Sequence, residues 1–430
     1  MTNADRLALL GGTPVRAEPL PRYNTIGAEE KAAVMDVLDD GELSGFIAYN
    51  GDEFYGGRAV RALEADFRKV YGVAHAISVN SATSGLHCAM AATGIGPGDE
   101  VIVPPYTMSA SATAVLFTGA VPVFADIDDK TFCLDPAAVE AAITPYTKAV
   151  VAVNLFGHPA PLLQLREICG RRGLFLVEDN AQAPSATING RYTATIGDIG
   201  VFSFNRHKTM QCGEGGVTIC HDEKLALKMQ LVRNHGEVVV AGMGVDDIVN
   251  TVGLNYRMTE MEAAVARVQF GKLPGLNARR VALADRLSKG LHDIPGLAPP
   301  HIADGCTHVY YFYPILYDET VTGLPRDVFA KAVQAEGFTL RAGYVKPLYL
   351  EPLYQKRIAF GDKGFPFNAN PRQGNLSYAK GICPVVERLA EKQLLVTNII
   401  YPPLTEADMD RFVEACAKVL RNRDALLALQ

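Results

Sequence analysis

Between Ala74 and about His221, short apolar runs alternate with segments of helical periodicity. HAISVN (His75–Asn80) precedes TSGLHCAMAATG, and EVIVPP (Glu100–Pro105) precedes SASATAVLFTG. VPVFADI precedes DPAAVEAAI, and AVVAVNLFG precedes PLLQLREICGRRG; LFLVED, IGVFSFN and GGVTICHD follow. Several runs are almost wholly apolar, the pattern of strands covered on both faces. Strands separated by helical crossovers predict a mainly parallel sheet with helices on both sides. Gly94, Gly119 and Gly173 stop helices in this reading, and Asp135-Pro136 starts one.

A long helical stretch is expected from Thr259 towards Lys289, broken by Pro295-Gly296-Leu297 and Pro299-Pro300. Beyond it, VYYFYPILY, RDVFAKAVQAEG and TEADMDRFVEACAKVL predict a smaller α+β domain. Three parts are expected: an N-terminal segment, 1–40, packing with the small domain; a large domain, 41–295; and a small C-terminal domain, 296–430. Ser44–Gly57 is Gly- and aromatic-rich, without periodicity, and reads as a loop covering a surface or a site.

Composition adds exclusions. The chain has 430 residues, 48% hydrophobic and 20% charged, enough apolar material for a sizeable core. The net charge of −6 disfavours nucleic acid and anionic membranes as partners. No run reaches the ~18 apolar residues of a membrane span. The start of the chain lacks a signal peptide's basic region. The eight cysteines have no C-x-x-C pair or metal spacing. A cytoplasmic protein with reduced thiols and no metal site is expected.

Three units carry candidate chemistry. In Gly197–Gly216, GDIGVFSFNRHKTMQCGEGG, Lys208 follows a strand end and precedes a glycine-rich turn. Such a lysine can form a Schiff base with a carbonyl cofactor if its amine is deprotonated. Asp179 ends LFLVED, where a carboxylate faces the crevice of an open α/β sheet. Ser81-Ala82-Thr83-Ser84-Gly85 opens a helix after a strand, and free amides there can seat a phosphate. Each has a plainer reading alone: a solvated lysine, a turn acid, an ordinary N-cap. The order of cup, acid and lysine, each at a strand end, is the layout of a pyridoxal phosphate (PLP) site.

At this point the chain resembles the DegT/DnrJ/StrS family of PLP-dependent sugar aminotransferases. The resemblance runs from LALLGGTPVR (Leu7–Arg16) through PPYT, VEDNAQA, the lysine-GEGG block, RNHG and GLNYRMTE to KPLY, CPVVERLA and YPPLTEADMDRF. It implies fold type I: a mainly parallel seven-stranded sheet between helices. It implies PLP bound by Ala82, Thr83, Asp179, Gln182, Ser203, Lys208 and the neighbouring subunit's copy of Asn255, with Arg257 a further candidate there. Lys208 would carry the cofactor and shuttle a proton; Asp179 would pair with the pyridine N–H. Tyr106 or Met108 would lie on the ring, Tyr106 being the first choice. Active sites shared across a homodimer follow. The implied reaction moves an amino group from glutamate or glutamine to a nucleotide-linked keto-sugar in amino-sugar biosynthesis. The alternatives are a scyllo-inosose-like ketocyclitol acceptor, a dehydratase or lyase like the aminohydroxybenzoate synthases, and a non-catalytic regulator. NLFG and EDNAQA depart from the family pattern at Asn154, where His is usual, and at Asn180, where Ala is usual. His235, Tyr344, Lys346, Tyr49 and Phe46 are further candidates for the substrate mouth.

Overall fold

The apolar runs form one seven-stranded sheet: β1 (His75–Val79), β2 (Glu100–Val103), β3 (Val121–Phe124), β4 (Thr147–Val153), β5 (Phe175–Asp179), β6 (Ile199–Ser203) and β7 (Gly216–Cys220). A computed structural model describes residues 3–372 and 375–428. The spatial order is β1-β7-β6-β5-β4-β2-β3. The β6–β5–β4–β2–β3 pairs are parallel, and β7 runs antiparallel to both neighbours. All residues of β2, β3, β6 and β7 are buried, which explains why these runs lack alternation.

Among the described residues nine α-helices precede residue 293: α1 (Ala28–Asp40), α2 (Arg58–Tyr71), α3 (Ala82–Ala92), α4 (Ala110–Phe117), α5 (Pro136–Ala142), α6 (Leu162–Arg172), α7 (Glu223–Arg233), α8 (Gly236–Met243) and α9 (Glu260–His292). Their ends follow from capping. Asp135 accepts from the Ala137 amide with Pro136 in the first turn, and Gly173 closes α6 in the left-handed region. Thr259 and Glu262 form a capping box at the start of α9.

Helix α9 belongs to two cores. Ala263, Ala266, Phe270 and Leu273 pack with Phe67 of α2 and with Phe202 and Val217 of the sheet. Leu283, Ala284, Leu287 and Leu291 pack instead with Tyr313, Phe329 and Phe412. This second core carries a four-stranded antiparallel sheet: β8 (Leu297–Ala298), β9 (Tyr313–Tyr317), β10 (Arg341–Ala342) and β11 (Leu394–Thr397), in the order β8-β9-β11-β10. The N-terminal segment is fastened to it. Leu7 is in its core, and the buried Glu336 carboxylate accepts from the amides of Ala8 (2.9 Å) and Val15 (3.0 Å) and from Lys418 Nζ (2.9 Å). Among the described residues no helix is long and apolar enough to cross a membrane.

Candidate active site

The strand register brings the three sequence units to one edge. Val79 at the end of β1 faces Gly216, and Gly216 faces Ser203 at the end of β6. On the other side of β6, Val201 faces Asp179 at the end of β5. The carboxyl ends of parallel strands are where open α/β sheets bind ligands. Helix α3 starts directly after β1. Ser81 caps it, its hydroxyl accepting from the Ser84 amide (3.1 Å) and its carbonyl from the Gly85 amide (3.0 Å). The amides of Ala82 and Thr83 are left for a ligand, at the positive end of the helix dipole. Gly216 crowds this seat: a Cβ there would stand 2.9 Å from the Ala82 nitrogen and 2.6 Å from the Phe202 oxygen.

Consecutive strand residues face opposite sides, so the two acids of VED part company. Glu178 turns towards the loop before β6 and accepts from the amides of Ala194 (2.5 Å), Ile196 (2.8 Å) and Gly197 (2.6 Å). It is a structural clasp. Asp179 turns the other way. Ser111 Oγ donates to its Oδ2 (2.7 Å) and the Ala181 amide to its Oδ1 (3.1 Å). Burial raises the Asp179 pKa; these two hydrogen bonds and the charge of Lys208 oppose it. The lysine is the reciprocal case. Burial pushes the Lys208 ammonium down to about 8, against the attraction of Asp179. Its Nζ lies over the Tyr311 ring, 4.5 Å from the centroid. A buried acid and a desolvated amine, coupled by charge, therefore lie at a sheet edge beside an anion seat.

Gln182 is buried and engaged at both ends: its Oε1 accepts from the Phe156 amide (2.8 Å), and its Nε2 donates to Tyr344 Oη (3.2 Å). Tyr344, from the small domain, thus reaches the site. Tyr106 has 0% exposure, and its hydroxyl accepts from the Tyr344 amide (2.9 Å). Met108 is 61% exposed, three residues before Ser111. Ser203 is buried, and its hydroxyl accepts from the Asn205 amide at 3.4 Å. Thr83 is exposed.

The two departures at 154 and 180 meet. Asn154 Nδ2 donates to Asn180 Oδ1 (2.9 Å), and Asn154 Oδ1 accepts from the Ala160 amide (2.8 Å). Both residues are fully buried. Asn255 is exposed; its Oδ1 accepts from Arg257 Nε (2.8 Å), and its carbonyl accepts from Asn80 Nδ2 (3.3 Å). His235 lies at the start of α8, with Glu237 3.8 Å away. Lys346 lies 3.8 Å from Glu351. Phe46 is buried, with the Arg233 guanidinium over its ring, whereas Tyr49 is exposed. Sequence reasoning missed Ser111 and Tyr311. Ser111 sits inside an ordinary helical run and Tyr311 inside a strand-like aromatic run, so neither has a local signal.

The model of the DegT/DnrJ/EryC1/StrS aminotransferase family matches residues 29–415, and the chain belongs to that family. It is 37% identical to the L-glutamine:2-deoxy-scyllo-inosose aminotransferase of Streptoalloteichus tenebrarius, covering 98% of this chain and 99% of that one. It is also 37% identical to the dTDP-3-amino-3,4,6-trideoxy-alpha-D-glucose transaminase of Streptomyces venezuelae, over 77% of this chain and 82% of that one. Among solved structures, S. venezuelae DesV in complex with a ketimine intermediate superposes with a TM-score of 0.77 at 33% identity, covering 91% and 94% of the two chains.

Proposed function

We propose that the chain binds pyridoxal phosphate and transfers an amino group from glutamate or glutamine to a nucleotide-linked keto-sugar. One observation carries this reading: the buried carboxylate of Asp179 and the depressed amine of Lys208 share the sheet edge with the unclaimed amides of Ala82 and Thr83. The residues fit the cofactor. Asp179 is buried with two neutral hydrogen-bond donors and needs a cationic partner, which a protonated pyridine supplies. The bare Gly216 leaves room where a Cβ would press on the phosphate seat.

Bound PLP supplies a carbonyl for the migrating amino group and a ring that accepts the electron pair released on proton loss. The chain supplies the rest. Lys208 would hold the cofactor and carry the proton, a role that needs an amine neutral near physiological pH. Asp179 would keep the ring nitrogen protonated, with Ser111 fixing the carboxylate. The Ala82 and Thr83 amides, the Thr83 hydroxyl and Ser203 would hold the phosphate. Gln182, which donates to Tyr344, would help shape the ring's surroundings. Met108, exposed where Tyr106 is wholly buried, would be the side chain available to the ring. The working unit in this reading is a homodimer. Val238, Ile248, Val249 and Val252 are exposed apolar residues on the segment leading to Asn255, the surface a second copy would cover while its own Asn255 reaches this chain's phosphate.

A second reading has a ketocyclitol as acceptor. It is favoured by the scyllo-inosose relative, which matches nearly the whole chain where the dTDP-sugar relative matches 77%. The test of both is direct. Purified protein given PLP should gain a visible absorbance band that Lys208→Ala abolishes. Glutamate or glutamine should bleach it, and keto-sugars or ketocyclitols offered to the bleached enzyme should restore it. A protein that stays colourless with PLP ends the proposal.

A further inference from the structure

A cavity of about 440 Å³ opens beside Lys208, between the N-terminal segment, the lysine loop, α9 and the small domain. Arg22, Arg206 and Arg280 line it, with His207, Tyr23 and Tyr311. No Asp or Glu lines it, and among the described residues none of the three arginines has a carboxylate partner. This is unusual in a chain with net charge −6. Three guanidinium groups around one cavity repel one another unless an anion joins them.

The central arginine is held ready. Arg280 is 4% exposed, and NH1 donates to the Tyr310 carbonyl (3.1 Å). Its guanidinium lies 5.1 Å from the Tyr23 ring centroid. Among the described residues no other hydrogen bond engages its side chain, and its Nε is buried without a partner. A planar fork fixed on one side and unsatisfied on the other is suited to an oxyanion. Tyr311 joins this cavity to the reaction: one ring lies against Lys208 Nζ and lines the pocket as well.

We propose that Arg22, Arg206 and Arg280 form an oxyanion pocket that grips a carboxylate or phosphate carried by a substrate while its amine or ketone faces Lys208. The proposal rests on the aminotransferase reading above and assigns the pocket a substrate role within it. Two sources carry such a group: the amino donor, through its carboxylates, and a nucleotide-linked acceptor, through its diphosphate. A neutral ketocyclitol carries none, so with such an acceptor the pocket serves the donor half alone.

The test uses PLP-loaded enzyme and two unreactive probes, glutarate and inorganic pyrophosphate, titrated by calorimetry at low ionic strength. Wild type should bind at least one. Arg206→Gln, at an exposed position, and Arg280→Lys, which keeps the charge and loses the fork, should each weaken that probe by about tenfold or more, the scale of one charge-assisted hydrogen bond. Arg388→Gln, whose arginine pairs with Asp129 elsewhere, should leave it unchanged. Loss of glutarate binding assigns the pocket to the donor; loss of pyrophosphate binding assigns it to the acceptor. Failure of wild type to bind either probe, or binding unaltered in both pocket variants, overturns the proposal. Bleaching of wild type by glutamate or glutamine is scored separately. If it occurs without arginine-dependent probe binding, the function stands and the pocket falls. If probes bind through the arginines and no donor bleaches the enzyme, the function falls and the oxyanion site remains.

Discussion

On the proposed reading, the depressed Lys208 amine predicts how fast the protein takes up PLP as pH changes. Attack on the PLP carbonyl requires the neutral amine. With an ordinary lysine value of 10.5, about 0.03% is neutral at pH 7; at about 8, roughly 9% is, an advantage of about 300-fold. The rate of uptake by protein stripped of PLP, followed by absorbance in a stopped-flow instrument, should therefore rise with pH and level off just above pH 8. The sign of the companion variant follows from the same contact. The Asp179 charge favours the ammonium form and partly offsets burial, so Asp179→Asn should move the inflection to lower pH while weakening retention of the cofactor. A wild-type rate still climbing towards pH 10 would refute the argument that burial sets this amine. An unmoved inflection in Asp179→Asn would refute the coupling between the two groups.

Other outcomes are expected from the geometry already described. Gly216→Ala should cost roughly 1–3 kcal/mol in overpacking and sharply weaken PLP affinity, measured by fluorescence titration beside a circular dichroism check of folding. Glu336→Gln should lower unfolding stability by about 3–5 kcal/mol, because it leaves the buried Lys418 ammonium without its carboxylate; a melting temperature within a degree of wild type would contradict this. Mixing inactive Lys208→Ala and Asn255→Ala chains under exchange should restore up to about a quarter of wild-type activity, since half the dimers are hybrid and each hybrid has one intact site. No recovery despite exchange would remove the shared site.

Much of this was legible in the sequence because the sheet imposes local rules. Apolar runs of four to seven residues, helix caps and strand-end positions for Asp179 and Lys208 are all local signals, and the strand register carried them to one edge. What escaped depends on long-range closure. Ser111 meets Asp179 across 68 positions, and Tyr344 meets Gln182 across 162. The arginine cavity needs five distant segments to converge. Arg257 and Lys346 are the cations that the sequence offers as site candidates. The structure gives Arg257 to Asn255 and sets Lys346 near Glu351, whereas among the described residues Arg22, Arg206 and Arg280 have no carboxylate partner.

The Asn154–Asn180 contact has a consequence for how this chain can change. Two departures that look unrelated in sequence are one buried hydrogen bond. Substituting Ala at 180 alone would remove one acceptor of the Asn154 amide and leave it to the buried Glu178 carboxylate. Substituting at 154 alone would also release the Ala160 amide. The two positions therefore change as a unit. The backbone beside Asp179 rests on a matched pair, so transplanting one residue from a relative would mislead where exchanging both would inform.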